Sequence, residues 1–139
     1  MPCLSGQFNA AIGALINVGV LPAGTLQPGG TTPTQITAFP ALIDTGATIT
    51  CISPQVVQTV GLQPIGMTPM VSATNAVPVN TYLVDLALPF GGTGFLMQGM
   101  QVMEFVTSSG SPFQILVGRD ILSRGTFTMS FDGHFTFSL

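Results

Sequence analysis

The sequence contains no lysine, and its only basic side chains are Arg119 and Arg124. Charged residues make up 5% of the chain, against about a quarter in ordinary soluble domains. With a net charge of -3, two arginines cannot follow a phosphate backbone, which excludes nucleic acid as a partner. Histidine is equally scarce. His134 stands alone in a turn, and neither histidine, cysteine nor carboxylate is frequent enough to build a metal cage, so no metal or cofactor is implied. The two cysteines, Cys3 and Cys51, do not make a disulfide framework. Cys3 falls in an N-terminal segment expected to be loose and Cys51 in an apolar run, so they read as two free thiols of a reducing compartment. That suits a cytoplasmic protein, or the soluble domain of a longer membrane-anchored one. Long hydrophobic runs are missing as well. Residues 8–23 are interrupted by Asn9, Asn17 and Pro22, and the run is shorter than the roughly 20 residues a spanning helix needs. No basic residue precedes it, as one would in a signal peptide. No membrane span is expected in this chain.

What is present is apolar and β-prone. Apolar residues account for 46% of the 139, enough for one core, and the length suits a single domain, 1–139. Glycine and proline are spread throughout, while Thr, Val, Ile and Phe fill the apolar runs, which is an all-β signature. A surface left to Ser, Thr, Gln and Asn repels weakly and makes self-association easy. Residues 7–21 read as one long or two short strands, 22–33 as a loop, 34–44 as a strand, and 47–52 as a short buried strand. Ser53 and Pro54 open a helix striped by Val56, Val57 and Val60 and ended by Gly61. Residues 67–89 read as two extended segments around a polar centre, the second alternating Tyr82, Val84, Leu86 and Leu88 with Leu83, Asp85 and Ala87. A glycine-rich turn at 91–94 leads to a strand at 95–106. A loop at 108–112 precedes a buried strand at 113–117. One helical turn at 121–124 follows, with Asp120 as its cap. The chain closes in a hairpin, 126–131 and 134–139, about a tight Asp132-Gly133 turn.

The segment that carries chemistry is Ala41-Leu42-Ile43-Asp44-Thr45-Gly46-Ala47. An apolar strand delivers an acid into a turn that a glycine lets fold back closely. Taken alone, Asp-Thr-Gly is also an ordinary turn in which the acid bonds its own backbone. A second segment, Ile115-Leu116-Val117-Gly118-Arg119-Asp120-Ile121-Leu122, runs as an apolar strand, a glycine, Arg-Asp and then a short helix. Together, in this order and spacing, the two segments resemble the catalytic framework of the aspartic peptidases, specifically the retropepsins. The single Asp-Thr-Gly-Ala and the short chain set it apart from the two-lobed pepsins. The ending, Gly-Arg-Asp-Ile-Leu-Ser-Arg followed by a hairpin, is similar to the retropepsin-like domains of bacteria and of Ddi1-type ubiquitin-shuttle proteins.

The resemblance implies an all-β, retropepsin-like half-barrel with one or two short helices, closed by the C-terminal hairpin. It implies an aspartic endopeptidase with Asp44 as catalytic carboxylate. Thr45, Gly46 and Ala47 would support the active-site loop, and Gly118, Arg119 and Asp120 would form the second motif. Viral members pair the arginine with an acid just after Asp-Thr-Gly-Ala. Thr48 stands there instead, leaving Arg119 to bond backbone carbonyls or Asp120. Ser72, Ala73, Thr74, Asn75 and Ala76 occupy the place of the flap that closes over bound peptide, without the glycines of viral flaps. The chemistry needs two carboxylates at one water. Asp85 and Glu104 lie on strands, Asp120 at a helix start and Asp132 in a turn, so the second carboxylate must come from a second copy of the chain. The expected partners are therefore a homodimer mate, bound through the C-terminal hairpin, and a peptide or protein substrate. The alternatives are a catalytically weak or inactive retropepsin-fold module that dimerises or binds peptides, and a structural β-domain of a larger assembly.

Overall fold

The computed structural model describes residues 3–25, 36–71, 73–90 and 94–139. In chain order these form β1 (Cys3–Gln7), β2 (Leu15–Pro22), β3 (Ala38–Ile43), β4 (Cys51–Ile52), α1 (Pro54–Val60), β5 (Gly66–Val71), β6 (Ala76–Leu88), β7 (Phe95–Glu104), β8 (Ile115–Val117), α2 (Arg119–Leu122), β9 (Thr126–Met129) and β10 (His134–Ser138). Neighbouring strands run β2, β3, β8, β4, β7, β6, and β6 returns to β2, with Gly19 opposite Ala87 and Val20 opposite Leu86. The expected half-barrel is thus a closed ring of six strands, with β5 attached to β6 outside it. A separate sheet, β1-β10-β9, carries the C-terminal hairpin.

Apolar alternation builds the ring. Val18, Val20, Val84, Leu86, Val102 and Ile115 are all fully buried, each contributing about 1.5–3 kcal/mol by leaving water. Tyr82, Val84, Leu86 and Leu88 point inward as their spacing predicts. Asp85 departs from the pattern and is also buried. The β6–β7 ladder shifts register between Val84 and Leu86, and the Asp85 carboxylate there accepts the Gly99 amide at 2.9 Å. The bulge converts an expected mid-strand acid into a backbone clasp. Helix α1 starts and stops where its residues direct, with Ser53 accepting the Val56 amide and Gly61 left-handed at φ 78°.

Two expectations need correction at the N-terminus. The run at 7–21 is broken by a turn bridging Asn9 and Gly13, and β2 begins only at Leu15. The N-terminal segment is not loose but forms β1, paired along β10 from Cys3 opposite Ser138 to Gln7 opposite His134. Ser5 and Gly6 give it little strand propensity of its own, and the partner strand supplies the order. Elsewhere the strands shorten. Residues 47–52 yield only Cys51–Ile52, residues 113–117 only Ile115–Val117, and β7 ends at Glu104. Of the expected loop at 22–33, residues 26–33 lie outside the described residues, as do 91–93 of the glycine-rich turn.

The hairpin also differs. Its turn spans 130–133, closed by the Ser130 amide on the His134 carbonyl at 2.9 Å, which leaves Phe131 fully exposed at the tip. Phe135 and Phe137 are buried in this chain's own core, with Phe137 packed 5.7 Å from the Phe90 ring. The apolar face of β10 therefore does not wait for a partner molecule. No helix among the described residues is long and apolar enough to cross a membrane.

Candidate active site

Strand β8 lies between β3 and β4, parallel to the first and antiparallel to the second. The chain leaving β3 must therefore cross the end of β8 before it reaches β4, and Asp44 sits at the start of that crossing. Its amide donates to the Val117 carbonyl at 2.9 Å. Its carboxylate Oδ1 accepts the Gly46 amide at 2.9 Å, and its carbonyl accepts the Ala47 amide at 3.2 Å. The ordinary self-bonded turn is thus present, set on an extraordinary crossing. Asp44 is half-buried, and Thr45 and Gly46 are exposed.

The second motif holds this loop from beneath. A side-chain carbon on Gly118 would lie 2.8 Å from the Ile49 carbonyl carbon and 2.9 Å from the Ala47 carbonyl oxygen, so only glycine lets the two segments pass. The Arg119 amide donates to the Ala47 carbonyl at 2.8 Å. Its guanidinium donates to the Thr45 carbonyl at 2.9 Å and to the Thr48 hydroxyl at 3.1 Å. Thr48, standing where the family resemblance leads one to expect an acid, is still the arginine's partner, as a neutral acceptor.

Asp120 is not the cap of α2. Gly118 holds that position, and Asp120 lies within the first turn. Its carboxylate accepts the Thr50 hydroxyl at 2.8 Å and the Thr50 amide at 3.1 Å, and that hydroxyl accepts the Gly118 amide at 3.1 Å. Thr50 is fully buried, so this chain of bonds ties α2 to the residue just before β4, beneath the Asp44 loop. Thr50 escaped sequence reasoning, because a threonine in an apolar run carries no signal of a partner seventy residues away. Cys51 next to it is buried, and its thiol is pushed up from 9.0 to about 11, first by burial and then by the charges of Asp120 and Asp44. A thiol so held is no nucleophile.

A cleft of about 620 Å³ opens beside the loop. Gly46, Ala47 and Thr48 form one wall, and Thr68 and Met70 of β5 form another. The wall begins two residues past Asp44. Above it, β5 and β6 form a hairpin with Val71 opposite Ala76. Ala73 and Thr74 bend at its exposed tip, Asn75 leads from them to Ala76, which already belongs to β6, and Ser72 lies outside the described residues. Among the described residues, no three His, Cys, Asp or Glu side chains converge as a metal site.

Residues 29–121 match the model of a family described as aspartyl protease. Among solved structures, a retropepsin-like aspartic protease from Rickettsia conorii aligns with a TM-score of 0.60 at 13% identity, over 97% of this chain and 89% of that one. That likeness gives the fold as retropepsin-like. The simian foamy virus (mac) protease aligns at 0.45 with 18% identity, over 79% of this chain and 92% of that one. The retroviral protease-like domain of Ddi1 from Leishmania major aligns at 0.42 with 11% identity, over 85% and 82%. No curated protein matches the sequence.

Proposed function

The chain belongs to the aspartyl protease family, and from that premise we propose that it is an endopeptidase whose catalytic centre is completed by a second copy of itself. Asp44 of each protomer supplies one carboxylate. Two such groups at close range share one proton, because both cannot ionise. The ionised carboxylate takes a proton from water as the oxygen attacks the scissile carbonyl carbon. The protonated one gives its proton to the carbonyl oxygen. The tetrahedral intermediate then collapses with cleavage of the C–N bond, as the carboxyl that took the water proton passes it to the amide nitrogen and the other carboxylate takes back a hydroxyl proton. Thr45, by resemblance, bonds across to the partner loop. Arg119, Gly118 and Asp120 are positioning residues that hold the loop from below. The β5–β6 hairpin acts as the flap over a peptide bound in extended form.

The observation that carries this reading is the solitary Asp44 loop, braced by its own chain and open on its outer side. The other acids are engaged elsewhere: Asp120 with Thr50, Asp85 with Gly99, Glu104 with Tyr82 and Asn80, and Asp132 in the hairpin turn. The second carboxylate must therefore arrive with another molecule. The inactive-module alternative rested on two features, the missing acid beside the arginine and a flap without glycines. The bonds from Arg119 to Thr45 and Thr48 address the first of these, which weakens the alternative on that ground.

Contact between protomers would use the open edge of β9 and the tip of the hairpin, where Met129 and Phe131 are exposed. The test is specific activity against dilution, with mass in solution measured in parallel, and mixing with excess Asp44→Asn chains. Activity should fall as the dimer dissociates, and mixed dimers should be inactive. A monomer fully active at high dilution refutes the two-chain site.

A further inference from the structure

A second cavity, about 460 Å³, adjoins the cleft and shares Met70, Phe105 and Val106 with it. Its remaining walls come mostly from β5 and β6, including Met67, Val77 and Pro78. Val106, common to both cavities, is 89% exposed, and Met67 and Val77 are also exposed, so the apolar surface here is open to an incoming group. At one side stands Glu104, at the end of β7. It is the only charged side chain lining either cavity among the described residues.

The carboxylate is held but not saturated. Tyr82 donates its hydroxyl to Oε1 at 3.3 Å, and Asn80 donates to Oε2 at 3.4 Å. Both are long bonds, and a carboxylate has about four acceptor positions. The phenol of Tyr82 is pushed up, first by burial and then by the charge of Glu104, so it remains a donor and keeps the carboxylate in place. Apolar walls with one fixed negative charge suit a long aliphatic stem that ends in a cation. Among the described residues, neither arginine is free for this purpose. Arg119 is engaged at the Asp44 loop and Arg124 at the Asp120 carbonyl, and the net charge is -3.

We propose that the Glu104 cavity is a specificity subsite that takes a lysine or arginine side chain of the bound peptide. This rests on the peptidase reading of the neighbouring cleft. A peptide lying there turns one basic side chain past Met70, its stem against Met67 and Val77 and its charge on Glu104. An apolar cleft by itself would select only apolar residues, and the subsite adds one charged position to that pattern.

The test compares cleavage of an apolar peptide carrying one lysine, scanned through each position, with its norleucine twin, which lacks only the ammonium group. Parent enzyme should favour lysine at one position by about tenfold in kcat/KM, as one charge-assisted hydrogen bond gives. Glu104→Gln, which keeps size and the Tyr82 bond, should erase the preference. Glu104→Lys should transfer it to a glutamate-bearing peptide. The same peptide pair is then titrated onto the Asp44→Asn protein. Cleavage with no lysine preference, or a preference that survives Glu104→Gln, overturns the subsite and leaves the peptidase intact. No cleavage by the parent overturns the peptidase. In that event binding decides the subsite: a lysine preference lost with Glu104→Gln supports it, and equal binding of the twins refutes it.

Discussion

At Gly118, a single methyl group would meet the Ile49 carbonyl carbon at 2.8 Å and the Ala47 oxygen at 2.9 Å. Gly118→Ala must therefore push the Asp44 loop away from β8. A loss of about 1–3 kcal/mol is expected, as for other overpacked sites, read as a lower Tm together with lower activity. A variant as stable as the parent would show that the crossing is looser than drawn. Asp44→Asn makes the opposite separation. It preserves shape and should keep the Tm, while activity falls by about a thousandfold or more. Cys51 offers a pH test. Its folded value, about 11, exceeds the ordinary 9.0. The stabilisation from keeping this thiol protonated is then complete below 9.0 and lost as pH rises through about 11. At pH 8 a thiol reagent should modify exposed Cys3 quickly and Cys51 only as fast as the protein opens, and equal rates would contradict the burial. The sequence already displayed Asp44, Gly118 and Arg119 as a motif. It could not display Thr50, or the true task of Asp120, because both depend on a contact between segments seventy residues apart.

Hairpin β9–β10 illustrates what periodicity conveys and what it withholds. The alternation of Phe127 and Met129 with threonines, and of Phe135 and Phe137 beyond the turn, was legible from spacing alone. What covers those rings was not. Phe90, which meets Phe137 at 5.7 Å, comes from a segment with no sequence relation to the hairpin. Deleting residues after Gly125 would therefore strip the core as well as any interface, because Phe135 and Phe137 belong to it. Phe137→Ala should cost about 3–5 kcal/mol, seen in urea unfolding at a concentration where mass shows one species. Phe131→Ser should leave that unfolding unchanged, since the ring touches only solvent in the isolated chain. It should instead weaken dimerisation by about tenfold, as an exposed aromatic anchor does. Unaltered dimer dissociation in sedimentation would move the interface elsewhere. The strand β1 was missed for a related reason: its order comes from β10, and its own residues do not announce it.

Over the whole molecule, the proposed centre is a coupled pair, and its pH behaviour belongs to the pair. Activity exists only where one proton is shared between two carboxylates, so kcat/KM should follow a bell, falling on both sides. A rate climbing steadily into alkaline pH would indicate another nucleophile. The all-β class was legible because Thr, Val, Ile and Phe fill apolar runs separated by glycine and proline, and the half-barrel was implied only by the resemblance of the two motifs to the retropepsins. Closure of the ring through β2 and β6 was not, since no local pattern says which edges meet. The arrangement also sets a timetable for synthesis. Strand β3, which leads into Asp44, finds its inner neighbour β8 only after about seventy more residues have left the ribosome, and β1 waits for β10 nearly the whole length of the chain. Folding dominated by such distant pairings is slow. Nascent chains should therefore hold their apolar edges open until late in translation, when chaperones would find them. The β9 edge and hairpin tip proposed for dimerisation would then be made only after β8, which braces the Asp44 loop, has been synthesised.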